Sequence, residues 1–305
     1  MRIGILLGEA IDLEQHVRQV VQVEQDGFDG AWFGQIFSAD AMTALALAGA
    51  RTNRIELGTA VIPTYPRHPY VLAQQALTVQ AATGGRFTLG IGPSHQPVVE
   101  SIWGLSYDKP ARHIREYLSV LRPLVHEGRV KTDGDLFRVN ASLRVNGAKP
   151  LPILIAALAP LMLRIAGEMA EGTVTWMTGA KTIESHIAPR ISAAAKAAGR
   201  PAPRVCVGLP IAVTSDAASA RKRAAQAFQL YGQLPNYRRV LDKEGAAGPA
   251  DVAIIGDEAE VERQVRALAS AGATDFLAAE LPVGDDAAAS LARTRALLKG
   301  LVGKV

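Results

Sequence analysis

A (β/α)8 TIM barrel with loop insertions is the α/β fold class that this sequence predicts, and two observations predict it. Short apolar runs alternate with longer segments of helical period, the pattern of repeated βα units around a parallel sheet. The runs also number eight, enough to close a barrel: Arg2–Leu7, Gly30–Phe33, Ile55–Val61, Arg86–Gly90, Pro152–Ala156, Thr173–Trp176, Arg204–Val213 and Asp275–Ala279. The 305 residues are read as one domain, 1–305, because barrels of this kind exceed the usual single-domain length and no linker divides the chain.

The segments between the runs carry helix punctuation. Asp12 precedes Leu13-Glu14-Gln15-His16 as an N-cap residue, and Gly27 closes that helix. Ala41–Ala50 and Tyr70–Ala82 are rich in Ala and Leu, and Pro69 stands at a first-turn position. Asp257-Glu258-Ala259-Glu260 opens another helix with acids that complement the helix dipole, and Gly272 ends it. Three stretches exceed a bare barrel. Residues 93–108 form a long connection after the fourth strand, where barrels keep their chemistry. Residues 128–146 read as a hairpin turning at Asp133-Gly134, and 231–256, rich in Gly, Pro and charge, read as a mobile flap over the site.

Composition narrows the function. Apolar residues make up 49% of the chain and charged residues 20%, which suits a packed core and not a disordered chain. The run Ile3–Leu7 meets acidic Glu9 and Asp12 and is too short for a signal peptide, and no stretch of ~18 apolar residues occurs, so no membrane span is expected. Cys206 is the only cysteine; this excludes intrachain disulfides, fits a cytoplasmic location, and reads as a small buried residue. The net charge of +4 is spread along the chain and aromatics are 5%, which argues against nucleic acid and is met equally by an anionic cofactor.

Common catalytic signatures are missing: there is no phosphate-binding Walker loop, no G-x-S-x-G elbow and no H-E-x-x-H pair. The histidines at 16, 68, 95, 113, 126 and 186 never fall at i, i+4, so no metal site is expected. Gly90-Ile91-Gly92 is half of a dinucleotide fingerprint. Pro93-Ser94-His95-Gln96 follows it, placing a hydroxyl, an imidazole and an amide just past a barrel strand. His95 is the candidate catalytic residue, since an imidazole with an ordinary pKa near ~6.5 donates or accepts a proton at neutral pH. His68, before Pro69, reads as a helix cap, and Tyr107 as an exposed loop residue.

Several runs resemble one family. Arg67-His68-Pro69-Tyr70-Val71-Leu72-Ala73, Ala76-Leu77-Thr78 and Gly84-Gly85-Arg86-Phe87-Thr88-Leu89-Gly90-Ile91-Gly92 are similar to the R-H-P-x-x-x-A, A-x-T and GGR-x-x-LG-x-G run of the luciferase-like monooxygenase superfamily, in its actinobacterial branch using the deazaflavin coenzyme F420. Leu57–Val61, Arg115-Glu116-Tyr117, Pro152–Ala157 with Pro160, and Ala166–Gly172 extend the similarity along most of the chain, in order. The family fold is a (β/α)8 barrel with insertions.

The resemblance implies a site. In relatives a non-prolyl cis peptide at the position of Ala60-Val61 backs the deazaflavin ring, and the loop matching Ala157-Leu158-Ala159-Pro160 holds phosphate at a helix N-terminus. Cofactor binding is thereby expected of Gln35, Ala60, Val61, Gly92, Ser94, Ala156, Ala157, Leu158 and Ala159, with Trp176 lining the ring pocket. Sugar-phosphate dehydrogenases of the branch keep an Asp-His pair where this chain has Gln35-Ile36, and a catalytic Glu where it has His95, which speaks against glucose-6-phosphate chemistry. The implied activity is hydride transfer between coenzyme F420 and a small organic substrate. The alternatives are an FMN-dependent monooxygenase and a non-catalytic flavin-binding protein. Family habit implies a homodimer.

Overall fold

Eight parallel strands close on themselves in a computed structural model that describes residues 1–8 and 12–305. They are β1 (Arg2–Leu7), β2 (Gly30–Phe33), β3 (Glu56–Thr59), β4 (Phe87–Gly92), β5 (Ile153–Ala156), β6 (Gly172–Trp176), β7 (Arg204–Val213) and β8 (Asp275–Glu280). They pair in sequence order, and β1 bonds to both β2 and β8, so the ring has no open edge. All eight expected strands are present. Glu9, expected to bound the first, lies outside the described residues. The third expected strand divides: β3 ends at Thr59, and Ile62–Pro63 pairs separately with the end of β4. The Ala60–Val61 peptide between them is cis, as the family resemblance implied.

Alternation along the strands sends one set of side chains into the barrel and the other toward the helices. Inside, Trp32 fills the middle, packed with Leu154, Val174, Cys206 and Leu277. Its ring leaves no room for a side chain on β3, where a Cβ at Gly58 would overlap the indole. Burial pushes the Cys206 thiol up, so it stays protonated, in keeping with its reading as a small buried residue. Below Trp32, at the N-terminal ends of the strands, Arg204 donates to Glu56 (2.8 Å) and to Asp275 (2.6 Å). Arg2 pairs with the same two carboxylates. Burial alone would raise the Asp275 pKa, but the hydrogen bond and charge of Arg204 outweigh it and hold the carboxyl below its usual range.

Outside the barrel, Ile3, Val20, Leu45, Leu121, Ile165 and Val265 join one continuous core between strands and helices. Each such fully buried aliphatic contributes about 1.5–3 kcal/mol. The helices start as their sequences predict: Asp12 accepts from Glu14 N–H, and Asp257 from Glu260 N–H. His68 caps the helix Pro69–Ala82, its Nδ1 accepting from Tyr70 N–H at 3.2 Å. The family-specific run is largely scaffold. Arg67 pairs with Asp40, the cap of the helix Ala41–Gly49, and Arg86 donates to the carbonyls of Gly49, Thr52 and Ile55. Arg115 pairs with Glu168 at 2.7 Å, linking two matched motifs.

Two insertions depart from expectation. The hairpin pairs Arg129–Asp133 with Arg138–Ser142, so its turn is longer than Asp133-Gly134 alone. Glu116 anchors it by accepting from Leu136 N–H. Residues 231–256 are built chiefly of helices, Gln229–Gln233, Pro235–Glu244 and Pro249–Val252, followed by the strand Ile254–Gly256. The Pro and Gly residues that suggested a flap sit at helix starts and ends: Pro235 and Pro249 in first turns, Gly245 at a left-handed C-cap. The helix Pro110–Glu127 brings His113 against the loop after β3. There His113 Nε2 meets Thr64 Oγ1 at 3.0 Å, and its ring stacks on Tyr65 at 4.0 Å.

Two stability outcomes follow from these contacts. Arg204→Met leaves two buried carboxylates with Arg2 alone and is expected to cost about 3 kcal/mol; urea unfolding beside the wild type measures it, and a loss below about 1 kcal/mol would show that the floor cluster carries little. Burial lowers the His113 pKa to about 4, whereas in the unfolded chain it titrates near ~6.5. Below that value the unfolded state takes up a proton the folded state refuses, so stability falls with pH until about 4. Between pH 7.5 and 5, His113→Gln is expected to lose about 2 kcal/mol less than the wild type. Equal losses in paired denaturant titrations would exclude His113 from the acid response.

Candidate functional site

The C-terminal ends of β3, β4 and β5 form a cradle at the barrel mouth, built from small residues. Thr59 bonds its own neighbour strand through the side chain: Oγ1 accepts from Gly90 N–H and donates to Gly90 O, both at 2.8 Å. The strands approach so closely there that a Cβ at Gly90 would overlap the Thr59 carbonyl. Two residues on, a Cβ at Gly92 would come within 2.9 Å of Val61 Cγ2 and 3.0 Å of the Ala156 Cβ. The structure therefore brings together Val61, Gly92 and Ala156, three residues distant in sequence that were expected at the cofactor. Ala60 and Val61 also pack on the interior cluster around Trp32.

The chain leaves β4 through Ser94, which takes a left-handed backbone (φ 61°), and His95 follows half-buried beside the cradle strand. Tyr107 OH donates to the Ser94 carbonyl at 3.1 Å, and its ring lies 5.5 Å from Tyr65. Tyr107 is thus a clasp on the β4 loop and not the exposed residue expected. Burial raises the Tyr107 pKa and pushes that of Tyr65 up to about 12, so both stay protonated and able to donate. Burial lowers the His95 pKa below its ordinary value. At neutral pH its imidazole is uncharged and carries a lone pair able to accept a proton.

The remaining expected residues are more dispersed. Gln35 is fixed on the loop after β2, where its Oε1 accepts from Ala41 N–H. Ala157 and Leu158 turn their side chains into the outer core, so only their backbone is left for a ligand; the Leu158 carbonyl is already paired with His186 Nε2. Ala159 opens the helix Pro160–Met169 with no side-chain cap, and the first intrahelical bond runs from Leu163 N–H to Ala159 O. The N–H groups of Leu161 and Met162 precede that bond and suit an anion. Trp176 ends β6 in edge-to-face contact with Phe228 and Tyr231, at 5.7 and 5.9 Å.

Sequence reasoning missed the partners of this last group. Tyr231 meets Tyr237 edge-on at 5.1 Å, and Tyr237 lies 5.6 Å from the His95 ring. Phe228, Tyr231 and Tyr237 fall within ten residues of a chain poor in aromatics, and that local clustering was the available signal. Arg238, beside Tyr237, binds Asp242 and the carbonyls of Ala246 and Ala247. A flank cavity of about 330 Å³ lies between the ends of β1 and β8. Its charged lining residues, Arg295 and Glu280, are paired with each other, so it offers no free reactive group. Among the described residues no cluster of three His, Cys, Asp or Glu is placed to hold a metal, and no helix is long and apolar enough to cross a membrane.

Known proteins share this architecture. A 5,10-methylenetetrahydromethanopterin reductase of Methanolobus tindarius is 31% identical over 236 residues, covering 76% of this chain and 71% of that protein. The structure of a coenzyme F420 dependent tetrahydromethanopterin reductase from Methanopyrus kandleri superposes with a TM-score of 0.81 at 22% identity, covering 100% of this chain and 98% of the other. An F420-dependent secondary alcohol dehydrogenase, in complex with an F420-acetone adduct, gives 0.80 at 17% identity over 99% and 98%. At such identities these two superpositions carry the fold alone. The family model for luciferase-like monooxygenases matches residues 1–299, nearly the whole barrel. The chain belongs to the luciferase-like monooxygenase family.

Proposed function

We propose that this protein is an oxidoreductase that binds coenzyme F420 in the barrel mouth and exchanges hydride between that cofactor and a small organic substrate. The observation that carries the proposal is the meeting of Val61, Gly92 and Ala156 at the C-terminal ends of β3, β4 and β5, where three residues expected at the cofactor form one closely packed small-residue surface. The family match and the relatives whose names cite F420 support it. When bound, the deazaflavin supplies or takes up the hydride at its C5. Val61, Gly92 and Ala156 would hold the ring, and the helix start after Ala159 would receive an anionic group of the cofactor through backbone N–H groups.

His95 is the proton-handling group of this reading. Because burial keeps it neutral at pH 7, it is set to accept the proton released when a hydroxyl or amine substrate gives up hydride. Tyr107, holding the Ser94 carbonyl, fixes the turn from which His95 projects. The family name itself keeps oxygen-dependent monooxygenation with FMN as the competing chemistry.

Fluorescence titration with oxidised F420 and with FMN, side by side, tests the cofactor. F420 is expected to bind and FMN not; binding of FMN alone would replace this reading with monooxygenation. His95→Ala is expected to lower kcat about 100-fold or more while changing cofactor affinity less than about threefold. Equal losses in both, or none, would remove His95 from the proton step. In the oxidising direction the wild-type rate is expected to fall only at pH below the ordinary imidazole range, because burial lowers the His95 pKa and delays its protonation, a limb that the variant lacks.

A further inference from the structure

The β6–β7 side of the mouth differs in chemistry from the glycine cradle. Trp176, Tyr231 and Tyr237 stand there in successive edge-to-face contacts that reach the His95 ring. The Trp176 indole Nε1 is shielded from solvent and has no hydrogen-bond partner among the described residues. An unmet buried donor of this kind costs about 1–3 kcal/mol, so a ligand acceptor that reaches it is favoured. Two charges nearby are committed. Glu244 accepts from the Lys181 and Thr182 N–H groups, and Arg238 is held by Asp242 and two carbonyls. Among the described residues, six of the nine large exposed apolar side chains, Ile36, Phe37, Ile102, Leu105, Leu161 and Leu230, lie on the connections that follow β2, β4, β5 and β7. The rim of the mouth is therefore largely apolar, and Trp176 brings an unpaired donor to its β6 side.

We infer that the wall of Trp176, Tyr231 and Tyr237 binds a flat, uncharged, largely apolar substrate bearing a carbonyl-type acceptor, which takes the indole N–H of Trp176. A polyhydroxylated or phosphorylated substrate would leave most of its polar groups unpaired against these rings. The inference deepens the proposed function and rests on the same site. It assigns the cradle side to the cofactor and moves Trp176 from the ring pocket, where the family resemblance put it, to the substrate side, with His95 between the two through its contact with Tyr237.

Calorimetric titration of the protein, free and with F420 added, tests this with three probes: 1-indanone, indane and glucose 6-phosphate. Indanone and indane share a shape and differ by the carbonyl oxygen. The wild type is expected to bind indanone about fivefold or more tightly than indane, the worth of one recovered hydrogen bond, and glucose 6-phosphate more weakly than either. Trp176→Phe is expected to bring indanone down to the level of indane while leaving F420 affinity within about twofold. Tyr237→Leu is expected to weaken both bicyclic probes alike. Equal binding of indanone and indane by the wild type, an indanone preference that survives Trp176→Phe, or tighter binding of glucose 6-phosphate would each overturn the inference. Failure of F420 to bind would overturn the cofactor assignment instead, and the free-protein titrations would still decide the role of Trp176.

Discussion

The guanidinium of Arg204, wedged between Glu56 and Asp275 under the indole of Trp32, is the constraint on which the barrel rests. It joins β3, β7 and β8 across the barrel floor, and Arg2 brings in β1. Buried carboxylates are tolerated only when paired and hydrogen-bonded, so these strand starts must meet at one height. Thr88 Oγ1 on β4 adds a hydrogen bond to Glu56. With the floor closed by charge and the middle filled by Trp32, the interior admits a ligand only from the C-terminal side. That division of labour, stability below and chemistry above, is common to barrels of this kind.

Above Trp32 the construction changes from large to small residues. Gly58 makes way for the indole, Gly90 for the Thr59 carbonyl, and Gly92 for Val61 and Ala156. Each absent Cβ has a different neighbour, and together they let β3, β4 and β5 pack closely around Trp32 and at the mouth. The loops then add the reactive and recognising groups. Tyr107 clasps Ser94, His95 follows, and the helical segment after β7 supplies Tyr231 and Tyr237. Desolvation unites these groups: it keeps His95 neutral and the tyrosines protonated, which suits proton acceptance by one and hydrogen-bond donation by the others.

The residues that made the family legible are mostly not those proposed for the site. Arg67, Arg86 and Arg115 are tied to Asp40, to three carbonyls and to Glu168, and Glu171 accepts from Ile153 N–H while pairing with Arg200. Such contacts fix how helices seat on strands, so they persist in a fold that hosts many chemistries. The loop aromatics to which we assign substrate recognition lie instead in an irregular sequence context.

What the sequence alone determined was the barrel: eight apolar runs, their helix caps at Asp12, His68 and Asp257, and the position of the cis peptide through its resemblance to a family. Periodicity and capping are local, acting over one to four residues, and so are visible in a string of letters. It also singled out Val61, Gly92, Ala156 and His95 as site candidates. The tertiary structure alone decided that the first three meet, since their adjacency depends on the register of β3, β4 and β5. It likewise decided that 231–256 is helical, and that Tyr237 reaches His95 across more than a hundred residues of chain. Contacts between loops on separate strands are set by barrel closure, which no local pattern encodes.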